Sequence, residues 1–169
     1  MRELTSKQHG ENAPENPWQG RRVLIVGMAR SGIAAAQLLC REGACVSVND
    51  QKPESDFGDK LDVLRQLPIA FRLGESGLEA LQGQDLLVIS PGVPLTAPIV
   101  LEANRLGIPV MGELEMASRI IKGALVAVTG TNGKTTTVSL LGEIFTQAGK
   151  ICHVAGNIGY PLSAAALES

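Results

Sequence analysis

From Arg22 onward, continuous apolar runs alternate with segments of helical periodicity. The first run, R-V-L-I-V-G at 22–27, has no polar position in its centre and ends on glycine. That is the pattern of a strand covered on both faces in a parallel sheet. Next, Ile33, Ala36, Leu38 and Leu39 recur at helical spacing, with Ser31 placed to cap the helix and Gly43 to stop it. A-C-V-S-V-N-D at 44–50 predicts a second strand, so 21–50 forms a β-α-β opening. The alternation continues with helical 58–67 before I-A-F-R-L, a short helical turn at 77–82 before D-L-L-V-I-S, helical 97–106 before I-P-V-M, and helical 113–121. Strands alternating with helices predict an α/β protein with a doubly wound parallel sheet and right-handed crossovers.

A fresh start follows. A-L-V-A-V-T at 124–129 predicts a sixth strand, then come a glycine-rich turn, a helix at about 135–148, a strand I-C-H-V-A at 151–155 and the ending A-A-A-L-E-S. The polar N-terminal stretch predicts a flexible leader over 1–19 and has no apolar segment of a secretory signal. The first sheet unit then occupies 20–122, and a boundary near Lys122–Gly123 opens a second unit at 123–169.

Charge is nearly balanced, with 15 Lys and Arg against 17 Asp and Glu, so no electrostatic footprint points to nucleic acid or an anionic membrane. The five aromatics, Trp18, Phe57, Phe71, Phe145 and Tyr160, are too scattered for a base-stacking platform. Cys40, Cys45 and Cys152 are odd in number and lack C-x-x-C spacing, which disfavours a disulfide framework or a zinc site and fits a reducing cytoplasm. Only His9 and His153 are available for imidazole chemistry, which disfavours a Ser-His-Asp triad. The 19 glycines and 9 prolines, by contrast, supply turns and loops that approach phosphate.

The strongest chemical signal is V-T-G-T-N-G-K-T-T at 128–136, between a predicted strand and helix. Gly130 and Gly133 let the backbone bend and turn consecutive N–H groups toward phosphate oxygens, with Thr131 and Asn132 between them. Lys134 is placed to neutralise β- and γ-phosphates and is the candidate catalytic residue; the Thr135 hydroxyl is the candidate Mg²⁺ ligand, and Thr136 completes the loop. Val128 stands where the longer phosphate-loop pattern has its first glycine. A plain glycine-rich turn would explain the glycines but leaves Lys-Thr-Thr without a purpose.

Weaker signals lie at the carboxyl ends of the first strands. G-M-A-R-S-G at 27–32 approximates G-x-G-x-x-G with Ala29 in the middle position, and Asp50 stands where a ribose- or base-contacting acid would sit. S-P-G-V-P at 90–94 follows the fourth strand, where Gly92 allows a ligand near the backbone. G-N-I-G-Y-P at 156–161 offers Asn157 as a two-way hydrogen-bonding group. Each of these is also explained as turn chemistry. Glu113 and Glu115 are expected on different sides of a starting helix as dipole-favourable acids.

Taken in order, V-G-M-A-R-S-G-I-A-A-A-Q-L-L, V-N-D-Q-K-P, S-P-G-V-P, G-E-L-E, V-T-G-T-N-G-K-T-T-T and G-N-I-G-Y-P resemble the Mur ligases of peptidoglycan synthesis over 20–169. The resemblance implies a Rossmann-like UDP-binding domain followed by the beginning of a P-loop ATPase-type central domain, and makes the shortened phosphate loop a family mark. It implies that Arg30, Ser31, Asp50, Gln51 and Gly92 surround uridine diphosphate, that Asn157 touches the sugar-linked substrate, and that 130–136 hold ATP with Mg²⁺. The best match is to members joining D-glutamate to UDP-N-acetylmuramoyl-L-alanine through an acyl phosphate. A cytoplasmic monomer is expected, and one inactive by itself because the remaining central and C-terminal parts lie beyond 169. Two other readings stand beside it: a nicotinamide-dependent oxidoreductase domain, which leaves Lys134 to Thr136 unused, and a nucleotide-binding regulatory fragment. A folylpolyglutamate synthase should begin near the ATPase loop.

Overall fold

The computed structural model describes residues 16–156 and 159–169. Strands β1 (Arg22–Val26), β2 (Cys45–Asp50), β3 (Ala70–Leu73), β4 (Leu86–Ile89) and β5 (Val110–Gly112) form one sheet in the order β3-β2-β1-β4-β5. Every neighbouring pair is parallel, so the alternation of sequence pattern is realised as a doubly wound sheet. In β1 the period-two alternation sends Val23 and Ile25 into one core and Leu24 and Val26 into the other, and all four are buried. A strand apolar at every central position is needed only where both faces are covered.

Among the described residues there are six α-helices, two of them in the second unit, and five of the six carry that cover. Helix α1 (Arg30–Arg41), the short α2 (Asp62–Arg65), α3 (Pro98–Arg105) and α4 (Glu113–Ser118) follow β1, β2, β4 and β5 in turn; α5 (Lys134–Gln147) and α6 (Leu162–Glu168) come after. Ile99, Val100 and Ala103 of α3 close one face of the sheet; α1, α4 and α6 close the other with Leu38, Met116, Leu162 and Ala166.

Several local expectations change. Helix α1 begins one residue before Ser31, with Ala29 as its N-cap and no side-chain cap hydrogen bond, because the chain turns straight out of β1. Its stop is as predicted, Gly43 taking φ +81°. The helix expected at 58–67 is divided into a 3-10 turn, Gly58–Leu61, and α2; Gly58 sits at φ +51°, and buried Phe57, Leu61 and Leu64, with half-buried Leu67, anchor the segment. The turn at 77–82 is a 3-10 turn over Glu79–Leu81. Residues 16–19 are not loose: Trp18 is buried, Arg21 stacks over its ring at 5.8 Å, and Asn16 Nδ2 donates to the Glu42 carbonyl at 2.9 Å.

The second unit departs further. Helix α5 forms within one residue of expectation, yet the strands expected at 124–129 and 151–155 are not assigned, since neither has a ladder partner among the described residues. An apolar run becomes a strand only when a neighbour takes up its N–H and C=O groups. Within α5 only Gly142 is buried, against Val154. The closing A-A-A-L-E-S, by contrast, is largely helical and belongs to α6, which packs on α1 and α4 of the first sheet.

Candidate nucleotide-binding sites

The strand order reverses between β1 and β4, and ligands of open α/β sheets bind at that switch point, outside the carboxyl ends. The turn G-M-A-R-S-G leaves β1 there. Gly27 takes φ +91°, and a Cβ on Gly32 would stand 1.9 Å from the Gly27 carbonyl oxygen, so α1 packs directly on the turn. Three groups brace it: Gly27 N–H donates to the Asn49 carbonyl at 2.9 Å, Ser90 Oγ donates to the Gly27 carbonyl at 2.7 Å, and Met28 N–H donates to Asp50 Oδ2 at 2.7 Å. The other Asp50 oxygen accepts from Lys52 N–H at 3.0 Å. Asp50 therefore holds the turn as well as facing the site. The first turn of α1 carries no acid and no side-chain cap, and exposed Arg30 opens it, leaving a positive helix end free for an anion.

Beside this turn lies a cavity of about 670 Å³. Its walls are Met28, Ala29, Arg30 and the adjoining face of α1, then Asp50 and Lys52, then Asp56, Phe57 and Lys60, and finally Gly159, Tyr160, Pro161 and Ala164. Of the residues singled out from sequence, Arg30 and Asp50 line it. Ser31 is half-buried and Gln51 and Gly92 are exposed; all three lie outside its lining. Lys52, Lys60 and Tyr160 went unsuspected because no fixed spacing relates them to the turn; only chain folding brings them to one cavity. Asn157 and His9 lie outside the described residues.

The 128–136 loop forms the second site. Gly130 and Gly133 take φ +144° and +79°, and Gly133 is the N-cap of α5 with no side-chain cap hydrogen bond and no acid in the first turn. Residues 130–136 are all exposed, so the loop presents open backbone and an uncapped helix end. Lys134 Nζ donates to the Gly130 carbonyl, which folds the ammonium over the loop. Glycine geometry, free amide donors and one cation fit a polyphosphate. Among the described residues no group of three or more His, Cys, Asp or Glu is placed to hold a metal. The Thr135 hydroxyl therefore fits Mg²⁺ only as one ligand of an ion shared with phosphate oxygens.

The two acids opening α4 do separate, with more than a dipole role for one. Glu115 is exposed and pairs with Arg119 at 2.6 Å, whereas Glu113 is buried and accepts from both N–H and Oγ of Ser163. Ser163 lies 50 residues from Glu113, beyond the reach of any local helix-turn pattern.

Comparison with known proteins bears on both sites. The family model described as Mur ligase MurD-like, N-terminal domain, matches residues 21–112, and that of the Mur ligase middle domain matches 128–168. The chain is 47% identical over 149 residues to a UDP-N-acetylmuramoylalanine--D-glutamate ligase of Caldanaerobacter subterraneus subsp. tengcongensis, covering 88% of this chain and 33% of that protein. It is 46% identical over 143 residues to the enzyme of the same name from Koribacter versatilis, covering 85% and 32%. It thus spans about a third of the length of these relatives. Among solved structures, the UDP-N-acetylmuramate:L-alanyl-gamma-D-glutamyl-meso-diaminopimelate ligase of Neisseria meningitides superposes with a TM-score of 0.50 at 24% identity, over 83% of this chain and 45% of that one. A pseudomurein peptide ligase type C from Methanothermus fervidus gives 0.50 at 23%, over 77% and 27%. These two likenesses speak for the fold.

Proposed function

This chain belongs to the Mur ligase family, and on that premise we propose that it supplies the UDP-binding unit and the opening of the ATP-binding unit of an ATP-dependent ligase. The ligase joins D-glutamate to UDP-N-acetylmuramoyl-L-alanine in peptidoglycan precursor synthesis. The observation that carries the reading is one chain holding both a braced, uncapped helix start at the switch point and a Gly-Lys-Thr-Thr helix start at 133–136.

In this reading Arg30 and the first-turn amides of α1 receive the diphosphate, with Lys52 and Lys60 in the same cavity, and Ser31, Gln51 and Gly92 meet the uridine diphosphate from outside the cavity lining. Asp50 keeps the turn in shape and faces the nucleoside. Asn157 meets the sugar-linked portion. Residues 130–136 hold ATP through backbone N–H groups; Lys134 leaves the Gly130 carbonyl to lie against the β- and γ-phosphates, where its charge offsets that of the transferring group. Thr135 would hold Mg²⁺, which supplies further charge neutralisation when bound. ATP activates the L-alanine carboxylate as an acyl phosphate, and the D-glutamate amine displaces phosphate from it. The reading carries with it a cytoplasmic monomer with neither nucleic acid nor membrane as partner; no helix among the described residues is long and apolar enough to cross a membrane.

Calorimetric titration of the 169-residue chain with UDP-N-acetylmuramoyl-L-alanine, UDP, ATP and NAD tests this. The first is expected to bind most tightly at the switch-point cavity, and the chain by itself to release no ADP in the presence of D-glutamate. Preferential binding of NAD, or no binding of the UDP ligand, overturns the assignment.

A further inference from the structure

We propose that Glu113 and Arg41 are positioning residues which, through α6, hold one wall of the cavity at the switch point; this rests on reading that cavity as the UDP-ligand site. Neither residue lines the cavity. Helix α6 has seven residues, about half the length at which an isolated helix becomes stable in water, so tertiary contacts must hold it. Leu162, Ala165 and Ala166 are buried, and the helix lies on α1 and α4. Each end is also fastened by a charge of the sign that suits the helix dipole. At the N-terminal end, Glu113 Oε1 accepts from Ser163 N–H at 2.7 Å and from Ser163 Oγ at 2.5 Å. At the C-terminal end, the Arg41 guanidinium donates to the carbonyls of Ala166 at 3.0 Å and Leu167 at 3.1 Å.

The cavity wall travels with this helix. Pro161 is the N-cap of α6, Ala164 lies within it, and Gly159 and Tyr160 immediately precede it; all four line the cavity. Tyr160 is tied back twice, its carbonyl accepting from Gly156 N–H at 2.9 Å and its hydroxyl bonding the Glu168 carboxylate near the far end of α6. A displacement of α6 therefore opens the wall, although the sheet and the turn after β1 stay as they are. Removing the Glu113 carboxylate strands the buried Ser163 donors, and that cost falls on the docked state alone.

The test combines calorimetry using UDP-N-acetylmuramoyl-L-alanine with amide hydrogen exchange on the wild-type chain and on Glu113→Ala, Glu113→Gln and Arg41→Ala. Glu113→Ala is expected to weaken binding about tenfold and to speed exchange over 162–168, while amides of β1, β2 and β4 keep their protection. The Gln amide oxygen can still accept from Ser163, so Glu113→Gln should stay within about threefold of wild type. Arg41→Ala, an exposed change that leaves the core intact, should shift both readouts in the same direction and carries the test if Glu113→Ala does not fold. Unchanged affinity in both alanine variants, or loss of protection throughout the sheet, overturns the proposal. If the wild type binds no UDP ligand, the assignment of the cavity falls; exchange then judges the clamp alone, and unchanged exchange over 162–168 overturns that too.

Discussion

At the turn after β1 the decisive atom is one that Gly32 lacks, since a Cβ there would stand 1.9 Å from a backbone oxygen that cannot swing aside. Gly32→Ala must push α1 away from β1 and is expected to cost about 1–3 kcal/mol. Urea unfolding followed by circular dichroism measures this, and a midpoint equal to wild type contradicts it. Asp85 makes a different residue-scale case. Its carboxylate accepts from Arg22 N–H, Nε and Nη2, and these hydrogen bonds hold its pKa at about 2, below the ordinary 3.8. A carboxyl depressed in the folded state contributes stability above its unfolded pKa and loses it as pH falls through the folded value. Stability should therefore decline between about pH 4 and pH 2, and Asp85→Asn should flatten that part of the acid limb. Identical acid limbs in the two proteins would count against the pair. The need for glycine at 32 was legible in the spacing of G-M-A-R-S-G. The brace from Asp50 to Met28 N–H was not, because Asp50 at the end of a strand reads equally as a ligand contact.

At the scale of elements, apolar pattern and hydrogen-bond partners part company. The runs at 23–26 and 124–128 are similarly apolar, but among the described residues only the first has parallel neighbours on both sides. Leu24 is fully buried between the sheet and α3, whereas Leu140 of α5 is 60% exposed. Leu24→Ala is therefore expected to cost about 2–5 kcal/mol, and Leu140→Ala to fall within about 0.5 kcal/mol of wild type. Equal losses in chemical denaturation would mean that α5 belongs to the cooperative core. The divided segment at 54–65 shows the opposite limit of pattern reading. Buried residues at 57, 61 and 64 have helical spacing, but Gly58 at positive φ and only three buried anchors yield 3-10 turns and one short helix.

Across the whole molecule, the two sequence units interlock rather than follow one another. The matches to two family models lie end to end, at 21–112 and 128–168, yet α6 from the second completes the core of the first. The alternation of strands and helices in the first unit and the two glycine turns at 27–32 and 130–133 were legible in local pattern, because hydrophobic period and glycine placement act over a few residues. The partners of Glu113 and Arg41, the wall formed by Gly159, Tyr160, Pro161 and Ala164, and the meeting of Lys52, Lys60 and Arg30 in one cavity lining were decided by tertiary structure alone. Those contacts join residues with no fixed sequence offset, and burial of an apolar helix face and the pairing of its end charges are satisfied only when chain-distant surfaces meet.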